Sequence, residues 1–353
     1  MRIEELAPYV TTTREHLFSF PNVRSVGAGP VWEEGRMTKE LGIIVGVEEK
    51  LPEAMLTRED LIPQELKGTG IRIDVIKAGD PRPFARLGAR PYAAIPEYDC
   101  SWFDVMRSGV GLAHFKVTGG TLGDYRAEWD VGTSNNHVLA NQNNASLGDP
   151  IYQPSPICGV ANRIVGSLAA FEPIKFVGEG SPCSVSQGWA SFCNLFMQAA
   201  HRKTRFKAIK YLKPFAAETM NHLDGAFMRF AGGIQKDEHI ERTDFDWQGS
   251  RPEATLLEIL FKSGARTRYT TFPCIQKYMT VSVGYGLGKI GMFEDQDVGD
   301  NPGGTLLNAG DSGDMPGGLS DKKRTDLAFA GSDTMSILSP YKYVDEAYHR
   351  LLG

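Results

Sequence analysis

A serine between glycines, in Gly310-Asp311-Ser312-Gly313, is the first group in this sequence that could do chemistry. A serine hydroxyl is a poor nucleophile at neutral pH, so it needs a base beside it and donors facing the oxygen under attack. Glycine on either side permits a tight turn that presents Ser312 and aims backbone N–H groups the same way. In a chain with 39 glycines the segment equally fits a surface turn. The chemical interpretation therefore requires a histidine and a carboxylate upstream.

His137 is the candidate base among the seven histidines. It lies where a polar segment becomes apolar, in Ser134-Asn135-Asn136-His137-Val138-Leu139. The core could hold a base at such a junction while its ring faces a cleft. Taken alone, the position fits a hydrogen-bonded histidine at the end of a strand just as well.

Asp224 is the candidate carboxylate between the histidine and the serine. It is followed by small and apolar residues, Gly225-Ala226-Phe227, which predicts that it begins a buried strand. A buried carboxylate needs a partner, and an imidazole N–H would supply one. The order His, Asp, Ser along the chain is one of the orders in which this catalytic group occurs.

Composition excludes several other classes of protein. The chain has 353 residues, of which 41% are hydrophobic and 23% charged, as in a globular protein with room for two domains. The net charge of −5 gives no basic surface for nucleic acid, and no apolar run is long enough to span a bilayer. Gly288-Lys289 is not a phosphate loop, because Val283 and Ile290 occupy the places of its first glycine and its Ser or Thr.

The five cysteines are scattered and form no C-x-x-C pair, so the sequence predicts neither a zinc site nor a disulfide framework. The first residues, Met1-Arg2-Ile3-Glu4-Glu5, are charged and lack the apolar core of a signal peptide. Together these observations predict a cytoplasmic protein that uses no metal and no cofactor.

Three parts are predicted along the chain: a small α/β domain at 1–80, a Pro/Arg-rich linker at 81–114, and a mainly β domain at 115–353. In the first part we expect a helix at Leu6–Phe18, a short helix from Thr57 to near Leu66, and strands at Val23–Ala28, Leu41–Val47 and Ile71–Ile76. Later strands are expected at Val131–Ala140, Ile164–Ala169, Gly225–Phe230, Tyr278–Tyr285 and Thr325–Ala330. Ser186–Lys210 has helical spacing and predicts a helical insertion.

Several motifs in this order resemble the trypsin-like serine peptidases of the chymotrypsin fold, and within them a bacterial group related to the plant narrow-leaf protein. The resemblance covers most of residues 115–353 and includes an upstream stretch typical of that group. The segments that carry it are GGTLG, SNNHVLANQN, GDPIYQPSP, NHLDGAFM, KSGARTRYTT, VGYG, GDSG, FAGSD and, upstream, VEEKLPEAMLTREDLIPQEL.

The resemblance implies a double β-barrel and a serine endopeptidase that acts through an acyl-enzyme, without metal or cofactor. It assigns His137 as general base, Asp224 as its orienting carboxylate and Ser312 as nucleophile. The backbone N–H groups of Gly310 and Ser312 would form the oxyanion hole. Leu306, six residues before the nucleophile, would lie at the base of the substrate pocket, which predicts cleavage after apolar residues.

The chain departs from that family directly after Gly313. An apolar strand is expected there, but residues 314–323 are polar and rich in glycine, and the strand pattern restarts only at Leu327. This insertion predicts a less rigid nucleophile loop. The alternative function is therefore a catalytically silent interaction module with the protease fold. Expected partners are a protein or peptide substrate and either an activating partner or a second copy of the chain.

Overall fold

The structure is a computed structural model that describes residues 1–83, 97–159, 163–177 and 219–353. Within these residues the chain is mainly β. The helices are α1 (Ala7–Phe18), α2 (Asn136–Leu139) and α3 (Tyr341–Leu352), with 3-10 turns at Ile3–Leu6, Glu53–Met55, Pro156–Cys158 and Pro302–Gly304. None of the described helices has the length and apolar character needed to cross a membrane. The predicted helical insertion at Ser186–Lys210 lies outside the described residues.

The strands are short in the middle of the chain and long near its end. The first are β1 (Val23–Glu33), β2 (Arg36–Val47), β3 (Glu65–Leu66), β4 (Ile71–Lys77) and β5 (Arg82–Pro83). Next come β6 (Val105–Ser108), β7 (Ala113–His114), β8 (Asp124–Arg126), β9 (Val131–Ser134), β10 (Pro150–Gln153), β11 (Arg163–Phe171), β12 (Phe176–Val177), β13 (Met220–Asn221), β14 (Ala226–Phe230) and β15 (Gln235–Ile240). The last are β16 (Ile259–Gly264), β17 (Arg268–Gly286), β18 (Lys289–Asp300), β19 (Gly317–Gly318), β20 (Asp326–Gly331) and β21 (Met335–Pro340).

Two sheets carry the site. The smaller has the order β7-β10-β11-β14-β9-β8, and the larger runs β3-β4-β2-β1-β17-β18-β21-β20-β5 with β12, β13, β16 and β19 paired beside it. A third, two-stranded sheet joins β6 and β15. Among the described residues these pairings do not close either large sheet into a barrel, so the double barrel stays a prediction.

The N-terminal segment shares a sheet with the rest of the protein. Strand β1 pairs with β17, with Ser25 opposite Val281 and Ala28 opposite Lys277, and Arg14 on α1 forms an ion pair with Glu294 on β18. Residues 1–80, which the sequence predicts as a domain, therefore pack against the rest of the chain through a shared sheet. The sequence could not show this because pairing between distant strands leaves no local pattern. The domain boundaries at 80 and 114 stay a prediction.

Most predicted elements appear near their expected places, and two differ. The short helix expected from Thr57 is a turn, in which the Thr57 hydroxyl donates to Asp60 at 2.6 Å, followed by β3. The strand expected at Val131–Ala140 ends at Ser134, and the helical turn α2 follows. At Thr57 the local bond between short polar side chains competes with a helix.

One pair of cysteines also differs from expectation. Cys100 and Cys158 form a disulfide across 58 residues of sequence, whereas Cys274 is a buried free thiol. The prediction that no disulfide forms is wrong, because pairing depends on distances in the fold and not on spacing along the chain. The cytoplasmic location was inferred partly from that prediction, and it stays a prediction.

Candidate active site

Paired strands bring His137 and Asp224 to the same end of the smaller sheet. Strand β9 ends at Ser134, which is opposite Ala226 at the start of β14. The residue that follows one strand and the residue that precedes the other therefore lie side by side. The Asn135 side chain strengthens this junction, because its Nδ2 donates to the backbone carbonyl of Asp224 at 2.7 Å.

The imidazole and the carboxylate are in direct contact. His137 Nδ1 lies 2.6 Å from Asp224 Oδ2, and the His137 backbone N–H donates to Oδ1 at 3.1 Å. Both side chains are buried, with 1% and 0% of their surface exposed. The two contacts fix the ring orientation and leave Nε2 as the nitrogen that can take a proton. In this arrangement the carboxylate would stabilise the imidazolium that forms.

Tyr285 on β17 is a third partner of the carboxylate that the sequence analysis did not single out. Its hydroxyl donates to Asp224 Oδ2 at 2.6 Å. Burial raises the pKa of Tyr285, and the negative charge of Asp224 raises it further, so the phenol remains a donor at neutral pH. The motif VGYG contains this tyrosine, but nothing in the sequence connects it with Asp224.

Ser312 lies on a loop that touches the smaller sheet on one side and β20 on the other. Its carbonyl accepts from the Thr121 N–H at 2.8 Å, and the Gly313 N–H donates to Ala328 at 3.0 Å. Gly313 has φ +91°, and a Cβ there would lie 1.9 Å from Ser134 Oγ. Only glycine allows this approach. Since Ser134 precedes His137 by three residues, the contact brings the nucleophile loop towards the base.

Asp311 anchors the loop from inside. Its Oδ1 accepts from the N–H groups of Arg266 and Thr267 at 2.9 and 3.0 Å. Its Oδ2 accepts from the Asn308 N–H at 2.9 Å and from the Thr267 hydroxyl at 2.7 Å. Four donors satisfy a carboxylate that is fully buried, and they fix the residue directly before Ser312.

A buried lysine holds the residues on both sides of Ser312. Lys262 on β16 is fully buried, and its Nζ lies 3.7 Å from Asp311 Oδ2 and 3.5 Å from Asp314 Oδ2. Burial raises the pKa of Asp314 to about 7, against the opposing effect of Lys262, and Asp311 adds to the rise. The segment after Gly313 differs from the expected loose insertion: residues 314–318 are buried and include β19, and β20 begins at Asp326.

The serine and the histidine do not share a hydrogen bond. Ser312 Oγ and His137 Nε2 are both buried and lack a hydrogen-bond partner in the described part of the chain. Buried polar atoms without a partner are uncommon and are concentrated at functional sites. In the same part of the chain, neither the Gly310 nor the Ser312 backbone N–H donates to a protein acceptor. The oxyanion hole expected at these two groups stays a prediction.

Leu306 is placed at the edge of a hydrophobic cluster. Its side chain is half-buried against buried residues that include Leu307, Leu260 and Phe272. Its backbone N–H donates to Asn301 Oδ1 at 2.9 Å. Leu306 is not among the residues that line the cavity beside His137, and its role in substrate binding stays a proposal.

A cavity of about 770 Å³ adjoins the histidine. Its walls come from α2, from the turn between β17 and β18, and from β5; they include His137, Tyr285, Gly284, Arg82 and Pro83. A volume of this size fits several residues of an extended peptide. Within the described ranges, no group of three His, Cys, Asp or Glu side chains is arranged to hold a metal ion.

Comparison with known proteins gives weak similarities. No protein-family model matches the sequence, and no curated protein sequence matches it. Thermobifida fusca protease A superposes with a TM-score of 0.41 at 12% identity, over 69% of this chain and 96% of that chain. A Nocardiopsis protease gives 0.40 at 11% identity, over 69% and 96%, and the Cellulomonas bogoriensis chymotrypsin gives 0.39 at 11%, over 69% and 95%. Structural similarities at these TM-scores and identities do not establish the activity of this chain.

Proposed function

We propose that this protein is a serine endopeptidase in which Ser312 attacks the peptide carbonyl and His137 acts as base. The observation that carries the proposal is the contact of 2.6 Å between His137 Nδ1 and the buried carboxylate of Asp224. Any one of these residues could be structural. An activated nucleophile requires all three, and the proposal is supported by the contact of the Ser312 loop with Ser134, three residues before His137.

Each step has a group to perform it. Nε2 of His137 takes the proton of the Ser312 hydroxyl as the oxygen bonds to the carbonyl carbon, and it returns the proton to the leaving amine. The N–H groups of Gly310 and Ser312 hold the negative oxygen, and losing one such donor costs roughly 100- to 1,000-fold in turnover. Water then cleaves the acyl-enzyme by the same route, so that the reaction needs no cofactor.

Substrate preference is a further part of the proposal. The half-buried Leu306 presents no charge that could pair with a lysine or arginine side chain, and burying such a cation unpaired is costly. An apolar side chain gains on the order of 25 cal/mol per Å² removed from water. We expect cleavage after apolar residues, which a peptide library varied at that position tests. Strict cleavage after Arg or Lys would contradict it.

One observation favours the alternative, a silent interaction module. The Ser312 hydroxyl and His137 Nε2 are not hydrogen-bonded to each other in this structure. Catalytic hydrogen bonds are often long in unliganded enzymes and shorten when substrate binds, so a peptidase is compatible with the same observation.

Labelling with a fluorophosphonate separates the two functions. A working site should form a covalent adduct on Ser312, identified by mass spectrometry of the tryptic peptide. Ser312→Ala should abolish the adduct, and His137→Ala should slow it strongly while leaving the fold intact. Wild-type protein that is folded but never labelled would refute the peptidase and favour the interaction module.

A further inference from the structure

Tyr98 contacts three segments of the candidate site. Its hydroxyl donates to the Gly120 carbonyl at 2.5 Å and, because its one proton is used there, accepts from the Ser155 hydroxyl at 2.5 Å. Its ring lies against the nucleophile loop, where an added Cβ on Gly310 would lie 2.8 Å from Tyr98 Cδ2. Burial of the hydroxyl raises the pKa of Tyr98, so the phenol remains a donor at neutral pH. The sequence analysis did not single out this residue.

In the described part of the chain, the Gly310 backbone is held by one hydrogen bond and by packing against two side chains. Its carbonyl accepts from the Thr121 hydroxyl at 2.9 Å, and the side chains beside its Cα belong to Tyr98 and Arg266. The φ of Gly310 is +111°, a region that is open to glycine and rarely to other residues, so this peptide has wide conformational freedom. The Tyr98 ring stands where a Cβ would be, and it therefore limits how far the Gly310 peptide can turn.

The disulfide joins the segment of Tyr98 to the segment of Ser155. Cys100 lies two residues after Tyr98, and its partner Cys158 lies three residues after Ser155. The cross-link and the hydrogen bond between Tyr98 and Ser155 therefore connect the same two short segments. Cys100 is exposed and Cys158 is half-buried, so a reductant in solution can reach the bond.

Asp99 supplies a second attachment of this segment. Its N–H donates to the Ala265 carbonyl at 2.8 Å, and its carboxylate forms an ion pair with Arg242 at 2.5 Å. These contacts hold the backbone beside Tyr98. The ring itself is held by the hydrogen bonds of its hydroxyl and by the cross-link two residues away.

We propose that Tyr98 is a positioning residue for the nucleophile loop, and that the disulfide between Cys100 and Cys158 keeps its ring against Gly310. The ring limits the Gly310 peptide to the orientation in which its N–H donates to the oxygen under attack. The inference rests on the proposed peptidase function and adds a condition to it. Full activity requires the disulfide, and reduction of the disulfide lowers activity without any change in the three proposed catalytic residues.

Two substitutions separate the ring from the hydroxyl. Tyr98→Ala removes the ring from Gly310, whereas Tyr98→Phe keeps the ring and loses only the hydroxyl bonds. Fluorophosphonate labelling at several probe concentrations gives the maximal rate and the half-saturating concentration separately. Loss of an oxyanion donor costs roughly 100- to 1,000-fold, so we expect a misdirected donor in Tyr98→Ala to lower the maximal rate by roughly tenfold or more, at an unchanged half-saturating concentration.

The conservative variant and a distant tyrosine serve as controls. Tyr98→Phe should keep a maximal rate within roughly threefold of wild type, because it loses only neutral hydrogen bonds. Tyr9→Ala, which removes a tyrosine that is 36% exposed on α1, should be labelled at the wild-type rate. A wild-type maximal rate in Tyr98→Ala would overturn the proposal, and an equally slow Tyr98→Phe would contradict the role of the ring.

Reduction tests the link between the disulfide and the ring. Dithiothreitol should slow labelling of folded wild type by roughly threefold or more, because the ring is then held by hydrogen bonds alone. In Tyr98→Ala the reductant should have no effect, since the ring through which the disulfide acts is absent. The double variant Cys100→Ser and Cys158→Ser should match reduced wild type. Equal slowing of wild type and Tyr98→Ala, or no slowing of wild type, would refute the role of the disulfide.

Hydrogen exchange tests the same contact without any need for activity. Amides in a peptide that covers residues 306–314 should exchange faster in Tyr98→Ala and in reduced wild type than in oxidised wild type and Tyr98→Phe. Unchanged exchange in Tyr98→Ala would overturn the positioning role, whether or not any protein is labelled. Wild-type protein that is never labelled but shows these differences in exchange would refute the peptidase while supporting the hold of Tyr98 on the loop.

Discussion

The Tyr285 hydroxyl and the His137 ring share one carboxylate oxygen, Oδ2 of Asp224, each at 2.6 Å. Tyr285 comes from β17 in the large sheet, whereas His137 and Asp224 flank strands of the smaller sheet. The hydrogen bond therefore joins the two sheets at the candidate site. It also spreads the negative charge of Asp224, which reduces the attraction between that carboxylate and a protonated imidazole.

The first prediction removes this donor with Tyr285→Phe. Without the phenol, Asp224 loses the donor that joins it to the large sheet, so the carboxylate should orient the His137 ring less firmly. A hydrogen bond to a charged group is worth about 1.5–3 kcal/mol, and we expect labelling at neutral pH to slow by roughly tenfold. The measurement is the fluorophosphonate rate from pH 5 to 9. Phe176→Leu is the control, because Phe176 packs edge-on against the Tyr285 ring without bonding to Asp224; an unchanged labelling rate in Tyr285→Phe would contradict the role.

The second prediction concerns the pH dependence of stability. Asp314 has its pKa raised from 3.8 to about 7 by burial, with Lys262 opposing the rise and Asp311 adding to it. A raised folded-state pKa stabilises the protein fully below pH 4, and this stabilisation is lost as the pH rises through 7. The free energy of unfolding of the wild type should decline between pH 4 and 8, and Asp314→Asn should reduce this decline by on the order of 2–4 kcal/mol. Urea unfolding at several pH values tests this, with the exposed Asp333→Asn as control; parallel curves for wild type and Asp314→Asn would refute it.

The third prediction concerns the disulfide. Cys100 and Cys158 close a loop of 58 residues. A cross-link over that distance reduces the entropy of the unfolded chain and so raises its free energy by about 4 kcal/mol. Reduction, or the double change Cys100→Ser and Cys158→Ser, should lower the free energy of unfolding by roughly 2–4 kcal/mol. Reductant should then have no further effect on the double variant. A wild-type urea midpoint that is the same with and without reductant would show that the cross-link does not stabilise the fold.

The fourth prediction follows from the shared sheet. A chain that lacks residues 1–77 would leave the edge of β17 at residues 277–281 without its partner β1. Met279 and Val281 are fully buried there, and an uncovered apolar edge favours association. We expect aggregation or a strong rise in binding of a hydrophobic dye, measured by light scattering and fluorescence. A monomeric, cooperatively folding product would instead indicate two independent domains.

The sequence by itself supplied the local features of this protein. Alternation along residues 71–76 predicted a strand that the structure contains, because burial of one face leaves a period of two. The apolar runs at 41–47 and 164–169 also predicted strands that are present. The sequence alone also showed the order of His137, Asp224 and Ser312. Each of the three has turn-forming or small neighbours. Residue type and short-range spacing carry such information directly.

Tertiary structure decided the relationships between distant residues. Tyr285 meets Asp224 across 61 positions, Lys262 lies between Asp311 and Asp314, and Cys100 reaches Cys158. Residues 82 and 83, which read as a linker, pair with β20 beside the nucleophile loop. None of these contacts leaves a pattern along the chain, because each depends on which strands become neighbours. That choice is made by the burial of whole sheet faces, and local sequence does not encode it.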